Sequence, residues 1–494
     1  NVEDATKENA PILLEDLVGD HIGEKVSNTN IASVTRHEFG NPDKAFEEAE
    51  NVVEKTFTLQ MVHQGYIEPH NATAHWDEDD RIKVWTSTQG AFPVRTSIAA
   101  ILDMDVSRIK VTPLEIGGGF GGKIPVYLEP VVSILSKKSG RPVKAIMERS
   151  NVFQASGPAP GGTITVKMGT DKDANIIAAE TSIKLEAGGF PGAAVGAAVQ
   201  CIFAPYDIPN TRIDGYDIVV NKPKSAAYRA PGSPQAAFAA ETVSDELARI
   251  HNMDPIDFRL QNASKEDTRR ADGVVFPKIG NVEVLEAAKA SEHWKSDLGT
   301  PPKGRVRGRG VASGYWFNVG LKSAVSLTVN NDGSVALVEG STDIGGTRTS
   351  ISMQAAEVLG IGVENFIPTV GDTDTAGYAD VTGGSRTTYA TGFAAVKAAE
   401  NLIEVLKERC AIIWSLDKND IDFRDGTFYA SKDPELKFSF KDLASNLDNT
   451  GGPASSTGSV DLESAGGAFG THIVDVDVDP DTGKTDVARY TVVQ

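Results

Sequence analysis

The sequence predicts an α+β fold of more than one packed unit, with loops leaving its hairpins to build a functional site. Strand–turn–strand patterns recur along the chain, and several end in loops that are rich in glycine or carry a glutamine. Helical periodicity fills the stretches after those loops. The length, 494 residues, exceeds one ordinary domain and is ample for a large core.

Composition narrows the function classes. Hydrophobic residues at 40% and charged residues at 23% belong to a globular chain. No run of about 18 apolar residues is available to cross a bilayer. A net charge of -20 without a basic stripe argues against nucleic acid and anionic membrane as partners. Cys201 and Cys410 lie far apart among apolar residues, so they read as buried thiols and not as an iron–sulfur or zinc set. The chain opens at Asn1 with no charged-then-apolar export signal and stops on strand-like sequence, 490–494. A cytoplasmic protein is expected, with a sequence that reads as cut at both ends.

In chain order, residues 1–40 are polar and irregular and read as a linker or the end of an N-terminal domain. A first domain is expected over 41–300 and part of a second over 301–494. Asn41 caps a helix that opens with Pro42 and places Ala45, Phe46 and Ala49 on one face. A strand over 55–61 leads to His63-Gln-Gly-Tyr-Ile-Glu-Pro-His70, dense in polar groups. The hairpin 72–76/81–86 turns at the acidic run 77–80 and delivers Ser87-Thr88-Gln89-Gly90. A helix over 94–102 and a strand over 109–116 follow, then Gly117-Gly118-Gly119-Phe120-Gly121-Gly122-Lys123.

Further hairpins are expected at 163–168/176–185, 323–329/335–338 and 474–478/485–493. Helices over 129–138, 235–251, 354–359 and 392–406 fill the gaps, the last with a core face of Ala394, Ala399, Leu402 and Leu406. Two of these helices follow glycine-, serine- or arginine-bearing loops, Arg229-Ala-Pro-Gly232 and Gly383-Gly-Ser-Arg-Thr-Thr388. Such helix starts favour anions, because unpaired N–H groups and the helix dipole both point there.

Five glycines around Phe120 imply that something approaches the main chain closely, or that several amides converge. Gly117-x-Gly119-x-x-Gly122 matches the spacing of a dinucleotide fingerprint, but Pro125 delays the next helix. Gly117-x4-Gly122-Lys123 imitates a phosphate-binding P-loop, yet Ile124 stands where its magnesium-binding hydroxyl belongs. Gln89 can instead cap the helix after it, and Arg229 can be one half of a structural salt bridge.

Read together, Gln89, the loop around Phe120, Ala227-Tyr-Arg-Ala-Pro-Gly232 and Gly383–Thr388 resemble the large, molybdenum-binding subunit of the xanthine dehydrogenase and aldehyde oxidase family. The resemblance runs from about His37 to Gln494. It implies a molybdenum held by molybdopterin, in the cytosine dinucleotide or the simpler form, with no direct protein ligand to the metal. By that resemblance Gln89 hydrogen-bonds near the metal's oxygen, and Gly118, Gly119, Phe120 and Gly121 present backbone N–H groups to it. Arg229 and Ala230 line the other side, and Gly384, Ser385, Arg386 and Thr387 contact the cofactor. Neutral donors suit an anionic oxo group, and amide nests and arginine suit phosphate.

The family's reaction hydroxylates an electron-poor carbon, in an aromatic heterocycle or an aldehyde, with oxygen from water. Electrons leave through iron–sulfur and FAD partner subunits, so a hetero-oligomer acting on a small molecule is implied. The general base is a glutamate in a Gly-Glu-Pro-like motif that no residue up to Gln494 supplies; Glu68 and Glu463 match no such motif. The chain is thus read as a fragment, or as a split subunit whose other molybdopterin-binding chain supplies the base. Ile124 replaces the glutamate of purine hydroxylases, so the substrate pocket expected around Ile124, Tyr315 and Trp316 is less polar than theirs. No cysteine follows Arg229 as in the molybdenum–copper carbon monoxide dehydrogenases, and Gly346 replaces a glutamine of the family's Gly-Gln-Gly. A non-catalytic scaffold of the same family and a nucleotide-binding protein using 117–123 stand as alternatives.

Overall fold

All four expected hairpins form in the computed structural model, which describes residues 1–463 and 466–494. The chain has two compact units, each assembled from separated segments: Asn1–His63, Ala155–Phe317 and Gly466–Gln494 in one, Gln64–Gln154 and Asn318–Ala465 in the other. These units interleave along the chain. Strand pairing between distant segments decides membership of a unit, and a boundary drawn along the chain cannot register it.

The first unit is organised by a seven-stranded mixed sheet. Its longest strand, Ile176–Gly188, pairs antiparallel with Gly162–Thr170 and parallel with Asn210–Val219. Alternate residues Ile164, Val166, Met168 and Ile183 are fully buried. The helix Ser233–Ile250 lays Ala236, Ala239, Ala240, Val243 and Leu247 in the same core. Small alanines at helical spacing let the helix backbone come close to the sheet.

Residues 18–39 are not a linker. Val18–His21, Glu24–Ser27 and Ile31–Phe39 are strands of this sheet, the last paired residue by residue with Asn210–Val219. Their polar side chains face solvent, where Arg36 meets Asp214 across the strands at 2.6 and 2.8 Å. The run Ile31–Phe39 shows little hydrophobic alternation, with Thr35, Arg36, His37 and Glu38 in succession.

Val306–Phe317, a run rich in arginine and glycine, is another strand that the sequence hides. It pairs over its whole length with Gly467–Val478. That register sets Arg307 opposite Asp477 and Arg309 opposite Asp475, and each guanidinium donates two hydrogen bonds to its carboxylate at 2.7–2.9 Å. Such a bidentate pair stabilises the strand only once its partner is in place.

The second unit carries two four-stranded sheets and a small three-stranded one. In the first, Asn71–Trp76 and Ile82–Thr86 form the predicted hairpin, and Ile109–Pro113 runs parallel to its second strand. In the second, Leu321–Val329 and Val335–Glu339 bury Val325, Leu327, Val335 and Leu337 in one core with two helices, Thr347–Leu359 and Gly392–Trp414. Ala394, Ala399, Leu402 and Leu406 are core residues of the second helix, as their spacing predicts. Among the described residues no helix is long and apolar enough to cross a membrane.

Candidate functional site

Within the second unit the fold brings together Gln89, the glycine loop and the segment 382–387. Gln89 follows the strand Ile82–Thr86 and is 3% exposed. Its Oε1 accepts from the backbone N–H of Gly121 at 2.9 Å and of Lys123 at 3.2 Å, and its Nε2 donates to the carbonyl of Thr382 at 2.8 Å. One amide side chain therefore joins three segments that are far apart in sequence. It does not cap the helix Ala91–Leu102, which starts at Gly90 without a side-chain cap.

The loop holds Gly118, Phe120 and Gly121 in the left-handed region, at φ 89°, 53° and 105°. Such a conformation is costly for phenylalanine and needs an imposed frame. The frame is the protein itself. A Cβ on Gly117 would lie 2.5 Å from Glu68 Cβ, one on Gly119 2.6 Å from Gln89 Oε1, and one on Gly122 2.7 Å from Tyr66 Cε1. The glycines thus admit the side chains of Tyr66, Glu68 and Gln89, while the Phe120 ring is left 46% exposed. Gly119→Ala is expected to displace Gln89 and to cost about 1–3 kcal/mol, measurable by chemical unfolding.

Both phosphate readings of this loop fall. Lys123 turns inward, its ammonium donating to Glu68 Oε2 at 2.7 Å and to Ser87 Oγ at 2.9 Å, so it cannot reach a phosphate. The next helix begins only at Glu129. Glu68 is an anchor: Oε2 also accepts from Gly117 N–H and Ser87 Oγ, each at 2.6 Å, and Oε1 accepts from Asn71 at 3.0 Å. The polar density of 63–70 hinted at Glu68, but apart from Asn71 its partners lie 19 to 55 residues away.

On the opposite segment Gly384 and Ser385 are both left-handed, at φ 71° and 59°. Arg386, expected to contact a cofactor, is instead fully buried and faces carbonyls. Its guanidinium donates to Gly320, Asp380, Val381 and Lys322 main-chain oxygens at 2.6–3.3 Å and to the Ser323 hydroxyl. It holds the loop in shape. Ser385 is exposed, and the Thr387 hydroxyl is buried without a hydrogen-bond partner among the described residues. Ile124 packs its Cδ1 3.3 Å from where a Cβ on Gly383 would lie.

A third segment of this unit is 343–348. Gly345 and Gly346 are left-handed and face open space, and they start the helix Thr347–Leu359. Asp343 caps that start, accepting from Gly345 and Thr347 N–H at 2.7 and 3.1 Å and from Arg348 Nε at 2.7 Å. Burial pushes the Asp343 carboxyl up, but these bonds outweigh it and hold the group far below the usual range.

Arg229 and Ala230 belong to the first unit, on the turn before the helix Ser233–Ile250. Ala230 is left-handed at φ 56°. Arg229 is exposed and has no ion pair among the described residues, so the salt-bridge reading does not hold. Tyr315 lies in the same unit but is core and not pocket: it is 4% exposed, packs against Phe276 and Phe469, and its hydroxyl accepts from Arg270 at 2.9 Å. Strand alternation turns Trp316 to the other face, half-buried and stacked on Phe317.

Comparison with known proteins agrees with the resemblance. Residues 22–263 match one molybdopterin cofactor-binding domain family and residues 283–494 match a second. The nicotinate dehydrogenase large molybdopterin subunit of Eubacterium barkeri is 31% identical over 267 residues, covering 53% of this chain and 63% of the relative. The aldehyde oxidoreductase molybdenum-binding subunit of Escherichia coli (strain K12) is 28% identical over 466 residues, covering 92% of this chain and 61% of its own length. In fold, the chain is similar to CO dehydrogenase from Oligotropha carboxidovorans, with a TM-score of 0.87 at 22% identity over 100% of this chain and 66% of the other. It is also similar to quinoline 2-oxidoreductase from Pseudomonas putida 86, at 0.84 and 22% over 95% and 65%. The chain spans about three-fifths of the length of the curated relatives it matches.

Proposed function

Because the chain belongs to the molybdenum-binding large subunits of the molybdenum hydroxylases and consists of two molybdopterin cofactor-binding domains, we propose that it holds a molybdenum–molybdopterin and hydroxylates an aldehyde or an aromatic heterocycle with oxygen from water. The observation that carries this reading is Gln89, locked between the glycine loop and Thr382 beside the exposed, left-handed Phe120.

The residues fit the group chemically. Its oxo ligand and phosphate are anionic, and the donors that the second unit offers are neutral amides and hydroxyls. The Thr387 hydroxyl is buried without a partner among the described residues, so a ligand at that segment would satisfy it. The nearby carboxylates Glu68 and Asp343 spend their oxygens on the protein's own N–H and O–H groups, which mutes their repulsion of an anion. When bound, the group supplies the metal-centred oxidation and accepts the two electrons. Gln89 and the amides of 118–120 would then orient its oxygen, the Gly121 N–H being held by Gln89 itself, while Gly384, Ser385 and Thr387 would contact its organic part and Ile124 would present an apolar wall to substrate.

No carboxylate of this chain is assigned as the base. Glu68 is fully engaged, and the catalytic glutamate belongs to sequence matching the part of the relatives that this chain does not span, in a further segment or a second molybdopterin-binding chain. Iron–sulfur and FAD subunits complete a cytoplasmic hetero-oligomer. The similarity in fold to CO dehydrogenase does not extend to its copper chemistry, since no cysteine follows Arg229.

Metal analysis and the fluorescence of oxidised pterin test the reading on protein co-produced with its partner subunits. One molybdenum and one pterin per chain are expected, and release of cytidine monophosphate on hydrolysis would identify the dinucleotide form. A fully assembled complex with neither metal nor pterin would overturn it and favour the non-catalytic scaffold.

A further inference from the structure

Resting on that reading, we propose that Lys123 and Glu68 are positioning residues, a charge-neutral pair of a buried lysine and a half-buried glutamate that sets the aim of Gln89 and the loop amides at the cofactor. The evidence is the economy of their contacts. Glu68 Oε2 alone binds the first residue of the loop (Gly117 N–H, 2.6 Å), the last (Lys123 Nζ, 2.7 Å) and the residue two before Gln89 (Ser87 Oγ, 2.6 Å). Lys123 Nζ closes the triangle on Ser87 Oγ at 2.9 Å and lies 5.1 Å from the centre of the Tyr66 ring. The Lys123 main chain completes the clamp. Its N–H donates to Gln89 Oε1 at 3.2 Å, and its carbonyl accepts from Gln89 N–H at 3.0 Å and Thr88 Oγ1 at 3.3 Å. Any shift of the ammonium is therefore passed to Gln89 through main chain and side chain together.

A purely mechanical anchor would not need charge. The Lys123 ammonium has lost its water, being 1% exposed, and burial pulls it below the usual lysine range. Burial also pushes Glu68 up, but the bonds from Lys123, Ser87 and Gly117 carry it below the usual carboxylate range, so it is ionised at neutral pH. An apolar pair would fill this space without the desolvation cost. The ion pair instead offers direction with no net charge next to an anionic group. Removing one member leaves an uncompensated charge of known sign in a poorly screened place.

That sign separates positioning from mere support. In the pterin-loaded complex, Lys123→Met leaves a net negative charge and is expected to lower the molybdenum midpoint potential, read by an EPR-monitored titration. Glu68→Gln leaves a net positive charge and is expected to raise it. Ser87→Ala, which alters no charge and is the variant safest for folding, should leave the potential near wild type. It should lower kcat per bound molybdenum about tenfold with KM little changed, because the aim of Gln89 is loosened. Pterin-loaded variants whose potentials stay put or move in the same direction would overturn the inference, as would Ser87→Ala with wild-type kcat. If both charged variants fail to load, the Ser87→Ala result alone decides. Wild-type complex without pterin would sink the functional reading itself, an outcome distinct from any of these.

Discussion

Glu339→Leu is expected to stabilise the second unit at pH 8 by several kcal/mol and by much less at pH 5. Glu339 ends the strand Val335–Glu339 on the face where Val335 and Leu337 are core, and like them it has no exposed surface. Neither of its carboxyl oxygens has a hydrogen-bond partner among the described residues. Burial, with a smaller push from the Asp343 charge and against the pull of Arg348, raises its pKa to about 8. The folded acid keeps its proton up to that pH, whereas the unfolded chain releases it near the ordinary glutamate value. Between the two the native state binds the extra proton, so stability falls as pH rises from about 4.5 to about 8 and levels off above. At about 1.4 kcal/mol per pH unit the full fall is roughly 5 kcal/mol, an upper bound for a group that can relax toward water. Leucine removes the titration and continues the apolar face. Calorimetric melts at pH 5 and 8 check this: the gain over wild type should grow with pH, and equal gains at both would show that Glu339 is ionised when folded. That an evolved core keeps this residue against about 5 kcal/mol suggests a constraint other than stability.

Arg386→Met is expected to destabilise the second unit by about 3–5 kcal/mol and to abolish pterin retention. The fully buried guanidinium donates to four main-chain carbonyls and one hydroxyl. Methionine fills the stem but leaves those acceptors dry, and an unmade buried hydrogen bond costs about 1–3 kcal/mol each before relaxation. Arg386→Lys should fall in between, because a point ammonium with three donors cannot reproduce a planar fork. Urea unfolding with pterin content measured on the same samples checks both parts. A stable Arg386→Met protein that still loads would mean that the conformation of 382–387 is set elsewhere.

Helices, hairpins and most site segments were legible because each rests on local chemistry. Asn41 caps its helix, Asp77–Arg81 turns its hairpin, and the apolar spacing of 392–406 buries the face it should. The glycine loop was legible too, but for a partly mistaken reason. The close approach that demands glycine at 117, 119 and 122 is made first by Glu68, Gln89 and Tyr66, and only the exposed Phe120 side is left for a ligand.

Sequence alone determined the α+β class, the family and the segments that meet at the site, since motifs and periodicities are properties of neighbouring residues. Only the tertiary structure decided what the individual side chains do. Arg386 and Tyr315 have the chemistry of ligand-binding residues, yet both spend it inside the protein. Lys123 looked like a phosphate ligand and is buried against Glu68. Glu339 ends an ordinary strand and is buried in the core, where burial raises its pKa to about 8. A side chain's role depends on which donors, acceptors and charges surround it, and those arrive from residues tens to hundreds of positions away, as Thr382 does for Gln89.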